Sequence, residues 1–412
     1  MVLYRRAKWA CYASNVTAAV TCNVTPLLFL TFRALYGISY TKLGLLVLVN
    51  FLTQLTVDLI FSFFSHKFNI KTTVRLIPVI AFVGLWLFAL TPWLFPSAPY
   101  VGLVLATVVF SSASGLGEVL ISPVVAAIPA KNPEREMSKL HAVYAWGAVG
   151  VILLSALYIF TVSAVYWQYM IFAFSAVPLV AALLFFGADL PDMQTPGRVS
   201  GALAFFKRPA LWVMFLAIFL GGSAECSMSQ WCSGYLEGAL GIPKILGDMV
   251  GVAMFSLTLG LGRTLYAKYG KNIETVLLLG GLGASVCYLL AALSPLPLIG
   301  LAACALTGFC VSMLWPGCLV AAEKRIPSGG VFLYAMMASG GDLGASVGPQ
   351  LLGAITDAAM LSPTMINVSE RLGLSAEQCG MRLGMMVGAF FPICATAVYF
   401  YLLKTAKNKS LD

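Results

Sequence analysis

Charged residues are scarce in this chain. Only 10% of its 412 residues are Asp, Glu, Lys or Arg, whereas 60% are hydrophobic. Soluble domains carry about 25% charged residues, so this composition excludes an ordinary water-soluble protein. Apolar runs of about 20 residues recur along the chain, and a helix of that length crosses the hydrocarbon layer of a bilayer. The sequence therefore predicts an all-α, polytopic membrane protein.

Histidine is also scarce, and the cysteines lack the spacing of a metal site. His66 and His141 are the two histidines, and the ten cysteines show no CxxC or Cys/His spacing. This excludes a multi-histidine metal site and leaves the cysteines as small packing residues. The sequence has no hydrolase elbow, phosphate loop or dinucleotide fingerprint either. We therefore expect neither an enzyme nor a bound metal or cofactor.

Short polar or Pro/Gly-rich breaks divide the apolar sequence into twelve runs, which predict twelve transmembrane helices. The predicted spans are 10–32, 43–64, 74–94, 100–129, 140–162, 167–187, 210–233, 246–267, 275–293, 297–322, 330–357 and 384–403. Charge placement supports cytoplasmic amino and carboxyl termini, because few of the 25 Lys and Arg residues then lie outside. The outer ones are Arg33, Lys42, Lys244, Arg371 and Arg382.

This positive-inside asymmetry also accounts for the net charge of +9 without nucleic acid as a partner. The expected partners are the lipid bilayer and a small-molecule solute. We expect the chain to be a monomer in the cell inner (plasma) membrane.

The second half of the chain repeats features of the first at an offset of 193 residues. The aligned pairs include Gly115 with Gly308 and Pro123 with Pro316. A duplicated six-helix unit explains them. The predicted domains are a first bundle of residues 1–187, a cytoplasmic linker of 188–209 and a second bundle of 210–412. Parallel repeats of six helices around a central binding site resemble the plan of the major facilitator superfamily.

Acidic residues inside the apolar runs are the most informative feature. They are Asp58, Glu118, Glu225, Asp342 and Asp357. Glu118 and Glu225 are the deepest, roughly 20 and 24 Å along their helices from the cytoplasmic ends, and Lys and Arg are missing near the middle of every predicted span. Low dielectric favours the neutral form of an unpaired acid, so we interpret both as proton-coupling carboxylates. The missing cation also argues against an anionic solute, and Asp357, at a helix end, is expected to be an interfacial charge.

Several short motifs resemble one branch of the superfamily, the fucose permeases. "GLGEVLISPVVAAI" and "HAVYAWGAVG" are similar to its helices 4 and 5, and "GGSAECSMSQW" is similar to its helix 7. "GRTLYAKYGKN" resembles the superfamily's cytoplasmic loop motif. The resemblance implies a proton-coupled sugar importer in which Glu118 is protonated during transport. The branch has an acid on helix 1 where this chain has Asn23, so either Glu118 acts alone or Glu225 supplies the second carboxylate.

The resemblance also implies that helices 1, 4, 7 and 10 line the transport cavity. The candidate solute-binding residues are then Asn23, Glu118, Glu225, Gln230, Trp231 and Trp315. The candidate conformational or gating residues are Asn50, Gln54, Asp58, His141, Tyr144, Arg263 and Asp342. Three of these assignments have alternatives. Asp58 either bonds to neighbouring helices or contacts the solute or ion. Instead of binding solute, Trp231 belongs to the interfacial aromatic belt or Trp315 is a packing residue.

We therefore expect a secondary active transporter with alternating access. It moves a small polar solute, a sugar or sugar-like neutral compound, by proton symport. One alternative is a proton-coupled antiporter that exports lipophilic cations or drugs. Another is a non-transporting membrane sensor or scaffold, and sodium is an alternative coupling ion.

Overall fold

The computed structural model describes residues 4–64, 67–129, 133–191, 206–326 and 330–409, and its regular elements in these ranges are helices. The first part of the chain forms α1 (Arg5–Leu27), α2 (Phe29–Tyr36), α3 (Tyr40–Phe64), α4 (Ile70–Leu94), α5 (Pro99–Ala127), α6 (Pro133–Thr161), α7 (Trp167–Phe174) and α8 (Ala176–Phe185). The second part forms α9 (Pro209–Gly238), α10 (Lys244–Leu246), a π-helical turn (Gly247–Val252), α11 (Ala253–Tyr269), α12 (Ile273–Leu293), α13 (Pro297–Val311), α14 (Pro316–Arg325), α15 (Gly330–Leu361), α16 (Pro363–Leu372), α17 (Ala376–Gly388) and α18 (Phe390–Lys409).

Nine helical segments in the described ranges are long and apolar enough to cross a membrane. The number rises to 11 if each of two bent pairs is one span, Arg5–Leu27 with Phe29–Tyr36 and Met336–Leu361 with Pro363–Leu372. Trp146–Thr161 is a shorter apolar helix. Every predicted apolar run is helical, although some runs, such as 10–32 and 297–322, cover two helices with a break between them. The count of twelve crossings and the side of the termini stay predictions.

The chain divides into two compact units, of which the first comprises residues 1–36 and 49–199. Its buried core joins α1, α4, α5 and α8 through side chains such as Ala7, Val74, Ile121 and Phe185. The predicted linker, 188–209, lies largely outside the described residues, so the predicted domain boundaries stay predictions.

The second unit comprises residues 37–48 and 200–412, and α9 and α15 pack closely at its centre. A Cβ atom added at Gly344 would lie only 2.1 Å from the carbonyl oxygen of Phe219, and one at Gly348 would lie 2.9 Å from the carbonyl oxygen of Ser223. Glycines spaced by four residues share one face of α15. They allow the two backbones to touch, as small residues do between membrane helices.

Asp357, near the end of α15, caps the start of α3 within the second unit. Its Oδ1 accepts a hydrogen bond from the Tyr40 N–H at 3.1 Å, and its Oδ2 accepts one from the Thr41 N–H at 2.6 Å. The first amides of a helix have no partner within the helix and carry positive potential, so a carboxylate stabilises them. Asp357 thus has a specific structural role beyond that of an interfacial charge.

Replacing Asp357 with alanine is expected to lower the free energy of unfolding by about 1 to 2 kcal/mol, the usual cost of losing a helix cap. Thermal unfolding of the purified full chain in detergent would measure this. Glu370→Ala, which removes an exposed carboxylate from α16, is the matched control. Equal melting temperatures for the two variants would contradict the capping role.

Candidate functional site

A polar strip joins α3 to α5 in the first unit. Ser111 Oγ donates a hydrogen bond to Asn50 Oδ1 at 2.5 Å. One helical turn further, a Cβ atom added at Gly115 would lie 3.0 Å from the Cα atom of Gln54, so the missing side chain lets the helices approach closely. Asn50, Gln54 and Asp58 are spaced by four residues and share one helix face, which therefore faces α5. All three side chains are buried.

The strip ends at two carboxylates. Oxygen atoms of Asp58 and Glu118 lie within 4.8 Å of each other. Asp58 is buried and Glu118 is exposed. Two carboxylates this close share a proton more readily than they both ionise, because the like charges repel. The sequence predicts either Glu118 alone or Glu225 as its partner, but it is Asp58 that the structure places beside Glu118.

Glu225 lies in the second unit and is paired with a cation. Arg263 Nη2 donates a hydrogen bond to Glu225 Oε1 at 3.0 Å. The expectation that both deep acids lack a cation is therefore wrong for Glu225. The spacing along each predicted helix places Arg263 near the cytoplasmic end, but helix packing and the length of the arginine side chain bring its guanidinium to Glu225.

The same guanidinium also donates a hydrogen bond to a backbone carbonyl at the break between α13 and α14. In a continuous helix the carbonyl of Ser312 would accept a hydrogen bond from residue 316, but Pro316 has no N–H. The helix is interrupted between Val311 and Pro316, and Arg263 Nε donates to the Ser312 carbonyl oxygen at 3.0 Å. Two hydrogen bonds thus fix the plane of the guanidinium.

Trp315 lies at this break, and its indole ring packs against two glycines. Cβ atoms added at Gly222 and Gly341 would lie 3.1 and 2.4 Å from ring atoms. Trp231 is only 3% exposed and donates its indole N–H to the carbonyl oxygen of Pro349 at 2.9 Å. Both rings are packing residues in this structure, and their contact with solute stays a prediction.

The other predicted site residues are placed as follows. Asn23 donates its side-chain amide to the carbonyl oxygen of Ala19 at 2.8 Å, within its own helix. Gln230 and Asp342 are buried in the second unit, and Tyr144 is half-buried in the first. The side chain of His141 lies outside the described residues. The proposed roles of these side chains stay predictions.

Comparison with known families identifies the fold. The model of the Major Facilitator Superfamily matches residues 10–349. The chain belongs to the major facilitator superfamily. Membership makes it a multi-pass membrane transporter, as the sequence predicts. No curated protein matches the sequence.

Solved structures of other superfamily transporters share the fold. A bacterial homologue of the human lysosomal transporter Spinster, inward-facing and unoccupied, aligns with a TM-score of 0.77 at 14% identity over 97% of each chain. A D-xylose–proton symporter aligns with a TM-score of 0.72 at 13% identity, over 94% of this chain and 96% of its own. A variant of the E. coli fucose:proton symporter FucP aligns with a TM-score of 0.60 at 15% identity, over 97% of this chain and 99% of its own. At these identities the similarity shows the fold alone and does not identify the solute.

Proposed function

We propose that this superfamily transporter moves a small polar solute together with a proton by alternating access. The observation that carries the proposal is the Asp58–Glu118 pair, whose oxygen atoms lie within 4.8 Å. Two ionised carboxylates at this distance repel each other strongly in a medium of low dielectric. This repulsion is removed when the pair binds one proton.

The two members of the pair differ in exposure. Glu118 is exposed and Asp58 is buried, so in this proposal Glu118 takes up and releases the proton and Asp58 is its charged neighbour. Moving a charge through the membrane interior is costly. Protonation reduces the charge of the pair, which lowers the cost of the conformational change that carries solute inward.

The solute is small and polar, and sugars are the first compounds to test. Two structural neighbours are named as proton symporters of D-xylose and fucose, and a third is named as a nucleoside transporter. The expectation of a neutral solute rests on the absence of a deep cation, and the position of Arg263 removes that reason.

Uptake into proteoliposomes with an outside more acidic by about 2 pH units tests the proposal. The full chain is expected to accumulate a polar solute above its outside concentration. A protonophore should abolish this accumulation, whereas an imposed sodium gradient should not drive it.

Empty liposomes control for leakage. Accumulation that ignores the protonophore would contradict proton coupling. Proton-linked loss of a preloaded cationic dye, without solute uptake, would favour the antiporter instead.

A further inference from the structure

Arg263 presents two different edges to its surroundings. A guanidinium carries five N–H donors. The edge formed by Nε and one N–H of Nη2 is occupied, by the Ser312 carbonyl and by Glu225. Among the described residues, Nη1 and the second N–H of Nη2 make no hydrogen bond. These donors lie side by side at the end of the side chain, in the geometry that binds a carboxylate through two parallel hydrogen bonds.

Arg263 lies on the side of α11 that faces away from lipid. Leu257, Leu261 and Leu265 form an exposed apolar stripe along α11, and a polytopic helix turns such a stripe to the membrane. Arg263 is two residues from Leu261, so it lies roughly 200° around the helix from this stripe. The Arg263 side chain is 41% exposed. Because a guanidinium facing hydrocarbon is very costly, this exposed surface faces water.

We infer that Arg263 binds a carboxylate group of the solute, so that the transported compound is a small organic acid such as a sugar acid. The inference rests on the proposed transport function and names the class of its solute. Arg263 is the deep cationic anchor whose apparent absence argued for a neutral solute. The Ser312 carbonyl and the Glu225 carboxylate accept hydrogen bonds from one edge of the guanidinium and orient its other edge toward the solute.

Charge balance agrees with this class of solute. Glu225 offsets the charge of Arg263 while the site is empty, so the empty site leaves no unpaired guanidinium in the membrane. A monoanionic carboxylate that travels with one proton adds no net charge to the moving system. The negative charge of Glu225 opposes the bound carboxylate, which keeps the affinity moderate and allows release.

Matched pairs of ligands test the inference on the purified full chain in detergent. The probes are glucuronate with glucuronamide, lactate with lactamide, and benzoate with benzamide, because each pair differs only in the carboxylate. A ligand that binds the folded state raises its melting temperature. At least one carboxylate is expected to raise it, and its amide is not.

Two variants separate a binding role of Arg263 from a structural one. Arg263→Lys keeps the positive charge but loses the paired donors, so carboxylate affinity should fall at least about tenfold, as when one charge-assisted hydrogen bond is lost. Glu225→Gln keeps an acceptor for Nη2 but removes the opposing charge, so carboxylate affinity should stay or rise. A purely structural ion pair would lose binding in both variants.

The inference is overturned if none of the three carboxylates binds, if an amide binds as well as its acid, or if Arg263→Lys binds with unchanged affinity. Carboxylate binding in detergent and proton-driven uptake in proteoliposomes, measured on the same wild-type protein, distinguish this inference from the proposed function. Normal carboxylate binding by a wild-type protein that shows no proton-driven uptake would refute the proposed coupling and leave Arg263 as the anchor.

Discussion

Replacing Glu118 with glutamine is expected to abolish accumulation of solute against its gradient while solute exchange continues. One transported proton converts a difference of 2 pH units into at most about 100-fold accumulation, because each unit corresponds to a factor of ten. Glutamine cannot bind the proton, so the accumulation ratio should fall to about 1. Uptake and counterflow of labelled solute in proteoliposomes would measure the two activities separately.

Asp58 is expected to act in the same step. Asp58→Asn should also lose accumulation, because the neutral amide no longer repels a negative charge on Glu118. The double variant Asp58→Asn, Glu118→Gln should be no worse than Glu118→Gln alone, since residues that act as one unit are not additive. Glu370→Gln, in an exposed position of α16, is the control. Full accumulation by Asp58→Asn would show that Glu118 works without this partner.

Replacing Gly344 with leucine is expected to prevent the second unit from folding. The first added carbon would lie 2.1 Å from the carbonyl oxygen of Phe219, and backbone cannot move aside as a flexible side chain can. Overpacking by a few methylenes costs about 1 to 3 kcal/mol where side chains can adjust, and the cost is larger against backbone. Size-exclusion chromatography of the detergent-solubilised protein should show loss of the monodisperse peak.

Gly260→Leu is the matched control for this prediction. A Cβ atom at Gly260 meets nothing within 4 Å, and both substitutions gain the same helix propensity. The difference between the two variants therefore reports the close approach of α9 and α15. Normal yield and a normal elution profile for Gly344→Leu would show that these helices can separate without loss of the fold.

Much of the fold is predictable from the sequence because its causes are local. Hydrophobic run length determines which segments become helical, and the predicted runs are helical although some are divided into two helices. The spacing of Asn50, Gln54 and Asp58 places them on one face, which depends only on helical periodicity. The predicted span 297–322 is interrupted between Val311 and Pro316, and the local cause is that proline has no N–H to continue the helix.

The partners across helices are not predictable in this way. The positions of Arg263 and Glu225 along their own helices predict different depths in the membrane. Their side chains nevertheless meet at 3.0 Å, although the residues are 38 positions apart in the sequence. The neighbour of Glu118 is not predictable for the same reason. Asp58 lies on a different helix, which approaches that of Glu118 closely at Gly115. The resemblance to the fucose permeases predicts that any second acid lies on helix 1 or is Glu225.

The sequence by itself therefore determined that this protein lies in a lipid bilayer, where its helices are placed and that they contain acidic residues. Hydropathy and helical periodicity are properties of short stretches of the chain, so they can be read without the tertiary structure. Only the tertiary structure decided which acid lies beside another carboxylate and which is paired with arginine. The physical reason is that electrostatic interactions depend on the distance between charged atoms, and that distance is set by how closely glycine-lined helices pack.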